Sequence, residues 1–158
     1  MPPYRPGMAH DFDFYQGTWN VVNRRLLKPL AGNDEWDEFP GVSIARPIFG
    51  GAGNLDEIDF PTQGWSGLTV RLFNPQTDAW SLHWVSSRRD VIDPPVVGRF
   101  VDGRGEFYGD DVHDGKPIRV RYIWSGITPT TAHWEQAFSA DGGQTWETNW
   151  HMESTRVD

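Results

Sequence analysis

The sequence predicts an all-β fold: a single antiparallel up-and-down β-barrel of about ten strands. Three observations predict it. After Gly17, apolar and polar residues alternate with a period of two through most of the chain, as half-buried strands require. The 17 glycines and 12 prolines fall in short clusters that punctuate these runs, as turns between short strands do. Gly17-Thr18-Trp19 opens the first strand, and Arg156 closes the last. A sheet that closes on itself must pair its first and last strands. There a Trp can plug the barrel base, while a guanidinium stacks on its indole and bonds nearby carbonyls.

The elements follow in order. Residues 1–10 hold three prolines without periodicity and read as an N-terminal tail; residues 11–158 read as the barrel domain. Asp11 to Gly17 is expected to turn across the barrel base. Trp19, Val21 and Asn23 share one face of the first strand, which Pro29 ends. A polar loop, Ala31 to Pro40, leads to a strand over Val42 to Phe49. Its Pro47 marks an edge or bulge, and Gly50 to Gly53 reverses the chain into Asn54 to Phe60. Trp65 to Phe73 sets Leu68, Val70 and Leu72 on one face, Thr69 and Arg71 on the other. After the Asn74 to Asp78 turn, Trp80, Leu82 and Trp84 alternate with Ser81, His83 and Val85. Asp102-Gly103 favours positive φ and predicts a tight hairpin between Val96 to Val101 and Gly105 to Gly109. Asp110 to Asp114 reads as a solvated turn closed by Asp114-Gly115. Val120, Tyr122 and Trp124 form one face of the next strand, and Trp134, Gln136 and Phe138 one face of its successor. The loop Ser139 to Thr145 leads into a last strand, Trp146 to Arg156. No fixed internal period appears, which excludes a propeller.

Composition narrows the function classes. A net charge of −8 repels phosphate backbones, so nucleic acid is excluded as a partner. Zero Cys excludes disulfides, thiolate metal sites and Cys nucleophiles. No apolar run is long enough to span a membrane, and the N-terminus lacks the apolar segment of a signal peptide. A soluble, cytoplasmic protein is the expectation.

Three motifs carry a family resemblance. Phe12-Asp13-Phe14-Tyr15-Gln16-Gly17-Thr18-Trp19-Asn20-Val21 matches F-D-F-W-x-G-x-W-x-V except at Tyr15. Phe73-Asn74-Pro75 with Trp80 and Trp84 is similar to a Y-D-P turn followed by a W-x-x-x-W strand. Ser139-Ala140-Asp141-Gly142-Gly143-Gln144-Thr145-Trp146 matches S-x-D-G-G-x-T-W; the strand after it departs at His151 and Ser154. The chain, over roughly residues 11 to 157, thus resembles a bacterial lipocalin-like, calycin-type family of unknown function. The resemblance implies a barrel similar in outline to fatty-acid-binding proteins and nitrobindins, and no assigned activity.

Trp19, Trp80, Trp84, Tyr122, Trp124, Trp134, Phe138, Trp146 and Trp150 fall on one alternation phase of their strands. They either line a pocket for a small hydrophobic or aromatic molecule or simply fill a small barrel. The expected ligand-binding set is Asn23, Arg25, Trp84, Tyr122, Trp124, Trp134, Gln136, Thr148 and Trp150. In it the polar members, Asn23, Gln136 and Thr148, orient the ligand or bond to one another. Arg24, Arg25 and Arg46 are expected to pair with the acidic loop Asp34, Glu35, Asp37 and Glu38, or one of them holds a ligand carboxylate. In the same phase His83, His133 and His151 point outward, which disfavours an axial haem ligand. No pair of histidines has helical spacing, so no metal site is expected. Nor does a nucleophile motif appear. Two rival functions remain: a cofactor-independent cyclase or isomerase using an inward Glu57, Tyr122 or Glu135 as acid or base, and a packed barrel acting as an interaction module. Exposed apolar strand faces would favour a homodimer.

Overall fold

The computed structural model describes residues 10–157, so the expected tail over residues 1–10 lies, but for His10, outside the described residues. Ten antiparallel strands close into one barrel in simple up-and-down order, β1 pairing with β10. They are β1 Gly17–Leu26, β2 Trp36–Ile48, β3 Gly53–Phe60, β4 Trp65–Asn74, β5 Ala79–Ser86, β6 Val96–Val101, β7 Arg104–His113, β8 Lys116–Ser125, β9 Thr131–Ser139 and β10 Glu147–Arg156. The all-β barrel of about ten strands is therefore the observed fold. No described helix is long and apolar enough to cross a membrane.

Closure takes the form the first and last strands suggest. Trp19 and Arg156 are partners in the β1–β10 ladder. The Arg156 guanidinium lies 4.3 Å from the centre of the fully buried Trp19 ring. It donates to the carbonyls of Gln16 and Phe14, both at 2.5 Å, and of Pro129 at 3.0 Å. A single 3₁₀ turn over Asp13–Tyr15 covers the base. Phe12 packs edge-on against Trp80 and Phe100, and Tyr15 stacks on Trp19 at 4.9 Å. Apolar burial of these rings seals this end.

Two boundaries and one register differ from the sequence reading. β2 begins at Trp36, inside the expected polar loop. Its prolines permit this because Pro40 lies where β2 pairs only with β1, and Pro47 where it pairs only with β3. On such one-sided stretches a missing amide costs no ladder bond. β7 continues to His113, so Asp110 to His113 is strand, not turn; Asp110 faces Arg119 across the ladder and pairs with it at 3.0 Å. The reversal is confined to Asp114 and Gly115, both with positive φ. In β10 the register shifts between Thr148 and Trp150. This bulge reverses the facing of everything before it.

In β4 the polar face points inward: Arg71 is buried, whereas Leu72 is exposed. Val22, Val42, Ile44 and Leu72 thus leave apolar surface on the outside of β1, β2 and β4. The Ser139–Thr145 loop is held by Asp141. Its carboxylate accepts from Ser139 Oγ at 2.8 Å, the amides of Gln144 and Thr145 at 3.0 and 2.9 Å, and Thr145 Oγ1 at 2.6 Å. These bonds, those from Thr145 foremost, lower its pKa from 3.8 to about 2. The folded value is the depressed one, so the contribution is complete above 3.8 and disappears as pH falls through about 2. NMR titration should place the Asp141 midpoint near its depressed value; an ordinary carboxylate midpoint would show that the loop bonds do not persist in solution.

Candidate functional site

Inside the barrel, inward positions form tiers from the sealed base to an open end. On β1 the tiers run Trp19, Val21, Asn23, Arg25; on β8, Trp124, Tyr122, Val120; on β10, Ser154, Met152, Trp150. Between them lies a cavity of about 50 Å³, lined by Trp84, Tyr122, Trp124, Trp134, Gln136 and Trp150 among others. That is room for one or two waters, far below the roughly 300–1,000 Å³ of a drug-sized pocket. The rings largely fill the barrel. Gly67 shows how tightly: a Cβ there would stand 1.9 Å from the Trp84 ring, so the indole lies directly on bare β4 backbone.

The floor of this cavity holds a polar cluster that sequence reading missed. Arg71 makes a buried ion pair with Asp56 and donates to Asn54 Oδ1 at 3.0 Å. Ser43 Oγ donates to Asp56 at 3.4 Å. The inward carboxylate on β3 is Asp56, and Glu57, proposed as an acid or base, is exposed. Alternation had already put the two on opposite faces, yet nothing local in the chain says which face is inside. Tyr15 adjoins the cluster, its phenol pushed up to about 12 by burial first and then by the Asp56 charge. Burial also raises the Tyr122 phenol, with Asp93 and Asp111 adding to it. Both phenols stay protonated at neutral pH, and the one buried carboxylate among the described residues is paired with Arg71. The described interior therefore offers hydrogen-bond donors but no poised base.

The larger space is at the open end. Two adjoining pockets of about 200 and 390 Å³ share Arg25, Trp65, Arg88, Gln136 and Phe138. The Arg25 guanidinium lies 4.1 Å from the Trp150 ring centre and 5.8 Å from that of Trp65; Arg88 lies 3.7 Å from Trp65. Contrary to the expected pairing, Arg24, Arg25 and Arg46 form no ion pair with the 34–38 segment among the described residues, although Arg25 and Asp37 are ladder partners. Arg24 lies over Trp36 instead, at 4.5 Å. Arg25 loses some of its basicity, to about 10, first through burial and then through the positive charges of Arg88 and Arg89. Arg89 pairs with Asp93 at 3.0 Å, and Asp110 is held by Arg119. Asp37 and Asp111 also line the rim, and the ion pairs among the described residues do not join either to Arg25 or Arg88.

Of the expected ligand-binding residues, Trp84, Tyr122, Trp124, Trp134, Gln136 and Trp150 meet around the inner cavity, and Arg25 stands above them. Two do not. Asn23 is fully buried, and its amide is already used: it donates to the Phe39 carbonyl at 3.2 Å and accepts from Trp150 Nε1 at 3.0 Å. It positions Trp150 rather than facing the cavity. Thr148 faces outward because of the β10 bulge and donates to Glu135 at 3.4 Å. Asn149 takes the inner place and accepts from Gln136 at 2.9 Å. The same bulge puts Trp146 outside, against Tyr108 and Arg121. Glu135, the other proposed inward acid, is on the outer face with His133 and His151. His83 bonds to Ser81 on the outer face of β5. His113 alone of the described histidines lines the open end.

No protein-family profile and no curated protein matches the sequence. One similar solved structure is an S-type phycobiliprotein lyase from Guillardia theta, with a TM-score of 0.40 and 11% identity over 99% of each chain. At that level of similarity nothing of that protein's activity carries over to this chain.

Proposed function

We propose that this protein binds a small, flat, apolar molecule bearing one anionic group at the open end of its barrel. The observation that carries the reading is Arg25: a half-buried guanidinium stacked on Trp150, with no carboxylate partner among the described residues, and with Arg88 and Arg89 as its first charged neighbours. A partly buried cation that no carboxylate neutralises directly favours an incoming anion, because the partly desolvated charge gains more from pairing than an exposed one does. Trp65, Trp84 and Trp150 supply the ring faces, and the Tyr122 phenol and Gln136 carbonyl are further polar contacts. Apolar burial at about 25 cal/mol per Å² gives a few kcal/mol, so affinity is of micromolar order unless the anion is well matched. The lack of a poised base inside the barrel among the described residues supports binding over the cyclase or isomerase reading. Membership of the lipocalin-like family with the matching N-terminal signature belongs to the same proposal, as does a cytoplasmic location.

The test is Trp fluorescence titration with naphthalene-2-carboxylate and its uncharged carboxamide. The carboxylate is expected to bind at least tenfold more tightly, and Arg25→Gln to remove most of that difference while leaving carboxamide binding nearly unchanged. Equal binding of the two probes, or no binding of either at millimolar concentration, would overturn the reading.

A further inference from the structure

We propose that the outer face of β9 and β10 binds one divalent transition-metal ion of the zinc class, through His133, Glu135 and His151. The site lies on the other side of the sheet from the ligand mouth and does not depend on that reading.

The ladder builds it. Glu135 is directly opposite His151, and His133 directly opposite Glu153. His133 and Glu135 are two apart on β9 and share a face. Directly opposed residues bring their Cβ atoms within about 4.5–5.5 Å, so four potential ligands occupy one square of sheet. Such a square could be two separate His–Glu pairs, but the side chains are not arranged that way. His133 Nε2 is 3.4 Å from His151 Nδ1 and 3.5 Å from Glu135 Oε1. One donor atom from each of the three residues falls within 4.8 Å of the others. Metal bonds of about 2.0–2.1 Å in tetrahedral geometry put neighbouring donors about 3.4 Å apart. Two imidazole nitrogens and a carboxylate oxygen thus converge at the spacing of a shared ion.

The surrounding bonds also fit ligation. His133 uses its other nitrogen, Nδ1, on Glu153. A carboxylate there holds the Nδ1 proton and leaves the Nε2 lone pair free for a metal. Thr148 Oγ1 donates to Glu135 Oε2, at 3.4 Å, while Oε1 is the atom near His133. The His151 ring is steadied by Trp36, 5.8 Å away. His133 and Glu135 keep about a fifth of their side-chain surface, 21% and 23%, in solvent, so a fourth position is open to water or an exogenous ligand. Two imidazoles and one carboxylate suit zinc, cobalt, nickel or copper and not magnesium or calcium.

The test is titration of tag-free, chelator-treated full chain with Zn²⁺ by calorimetry and with Co²⁺ by visible absorption. One equivalent is expected to bind, with the intense d–d bands of four-coordinate cobalt, and Mg²⁺ should not compete. His151→Ala and Glu135→Gln should each weaken binding at least tenfold. Glu153→Gln, which touches only the back of His133, should weaken it about 10–100-fold and leave the cobalt spectrum four-coordinate. Circular dichroism checks that each variant is folded. NMR of the wild-type imidazole signals gives a readout free of mutation: saturable shifts confined to His133 and His151 support the site. Absence of stoichiometric binding, shifts at other histidines only, or undiminished affinity in His151→Ala would overturn it.

Discussion

Asp56→Asn is expected to lower the unfolding free energy by about 3–5 kcal/mol, because it leaves a buried guanidinium without its counter-charge. Arg71 is 4% exposed, and Asn54 Oδ1 would remain as its one side-chain acceptor among the described residues. Its Nε already has no hydrogen-bond partner. The neighbouring cavity of about 50 Å³ can admit only a water or two to compensate. Urea unfolding measures the effect: with a slope of roughly 1–3 kcal/mol per molar, the midpoint should fall by one molar or more. Asp56→Leu combined with Arg71→Met removes both charges and should recover most of the loss, since apolar replacement of a buried pair is often neutral or stabilising. If the single variant loses less than about 1 kcal/mol, Arg71 is solvated in the folded protein and the cluster is not a sealed ion pair.

Trp19→Ala should cost a similar amount, about 3–5 kcal/mol, for a different reason. The ring is fully buried, stacks on Tyr15 at an interplanar angle of 12°, and donates from Nε1 to the Tyr15 carbonyl at 3.0 Å. Its loss opens a cavity at the base, orphans that carbonyl and leaves the Arg156 guanidinium without its stacking partner at the β1–β10 closure. At about 2–4 °C per kcal/mol, the melting temperature should drop by roughly 6–20 °C. Trp19→Phe keeps an aromatic face and loses only the N–H and some volume, so its effect should be distinctly smaller. Equal losses for the two substitutions would mean that the hydrogen bond, not the ring, holds the base closed.

Most of the barrel was legible in the chain because its cause is local. Period-two alternation, the Asp102-Gly103 and Asp114-Gly115 turns with positive φ, and the Trp19–Arg156 pair each act within one strand, one turn or one closure. The inward tiers on β1, β5 and β8 followed directly from that alternation. Where alternation failed, a single residue was responsible: the β10 bulge turned Thr148 and Trp146 outward and brought Asn149 in. A bulge leaves little local trace, since Trp146, Thr148 and Trp150 keep perfect spacing in the sequence. In β4 the alternation held, Leu68, Val70 and Leu72 lying opposite Thr69 and Arg71, but which face is inside depended on Arg71, whose partner Asp56 is on another strand.

The number of strands, their antiparallel order and the aromatic content of the interior were thus set by patterns readable one segment at a time. What needed the folded chain were relations between strands that no turn or terminal motif announces: the ion pair of β3 with β4, the release of Arg25 from the acidic segment it was expected to meet, and the convergence of His133, Glu135 and His151 across β9 and β10. The reason is physical. A strand's pattern records which residues alternate, while register and facing are fixed by burial of the whole sheet, where a shift of one residue exchanges inside for outside.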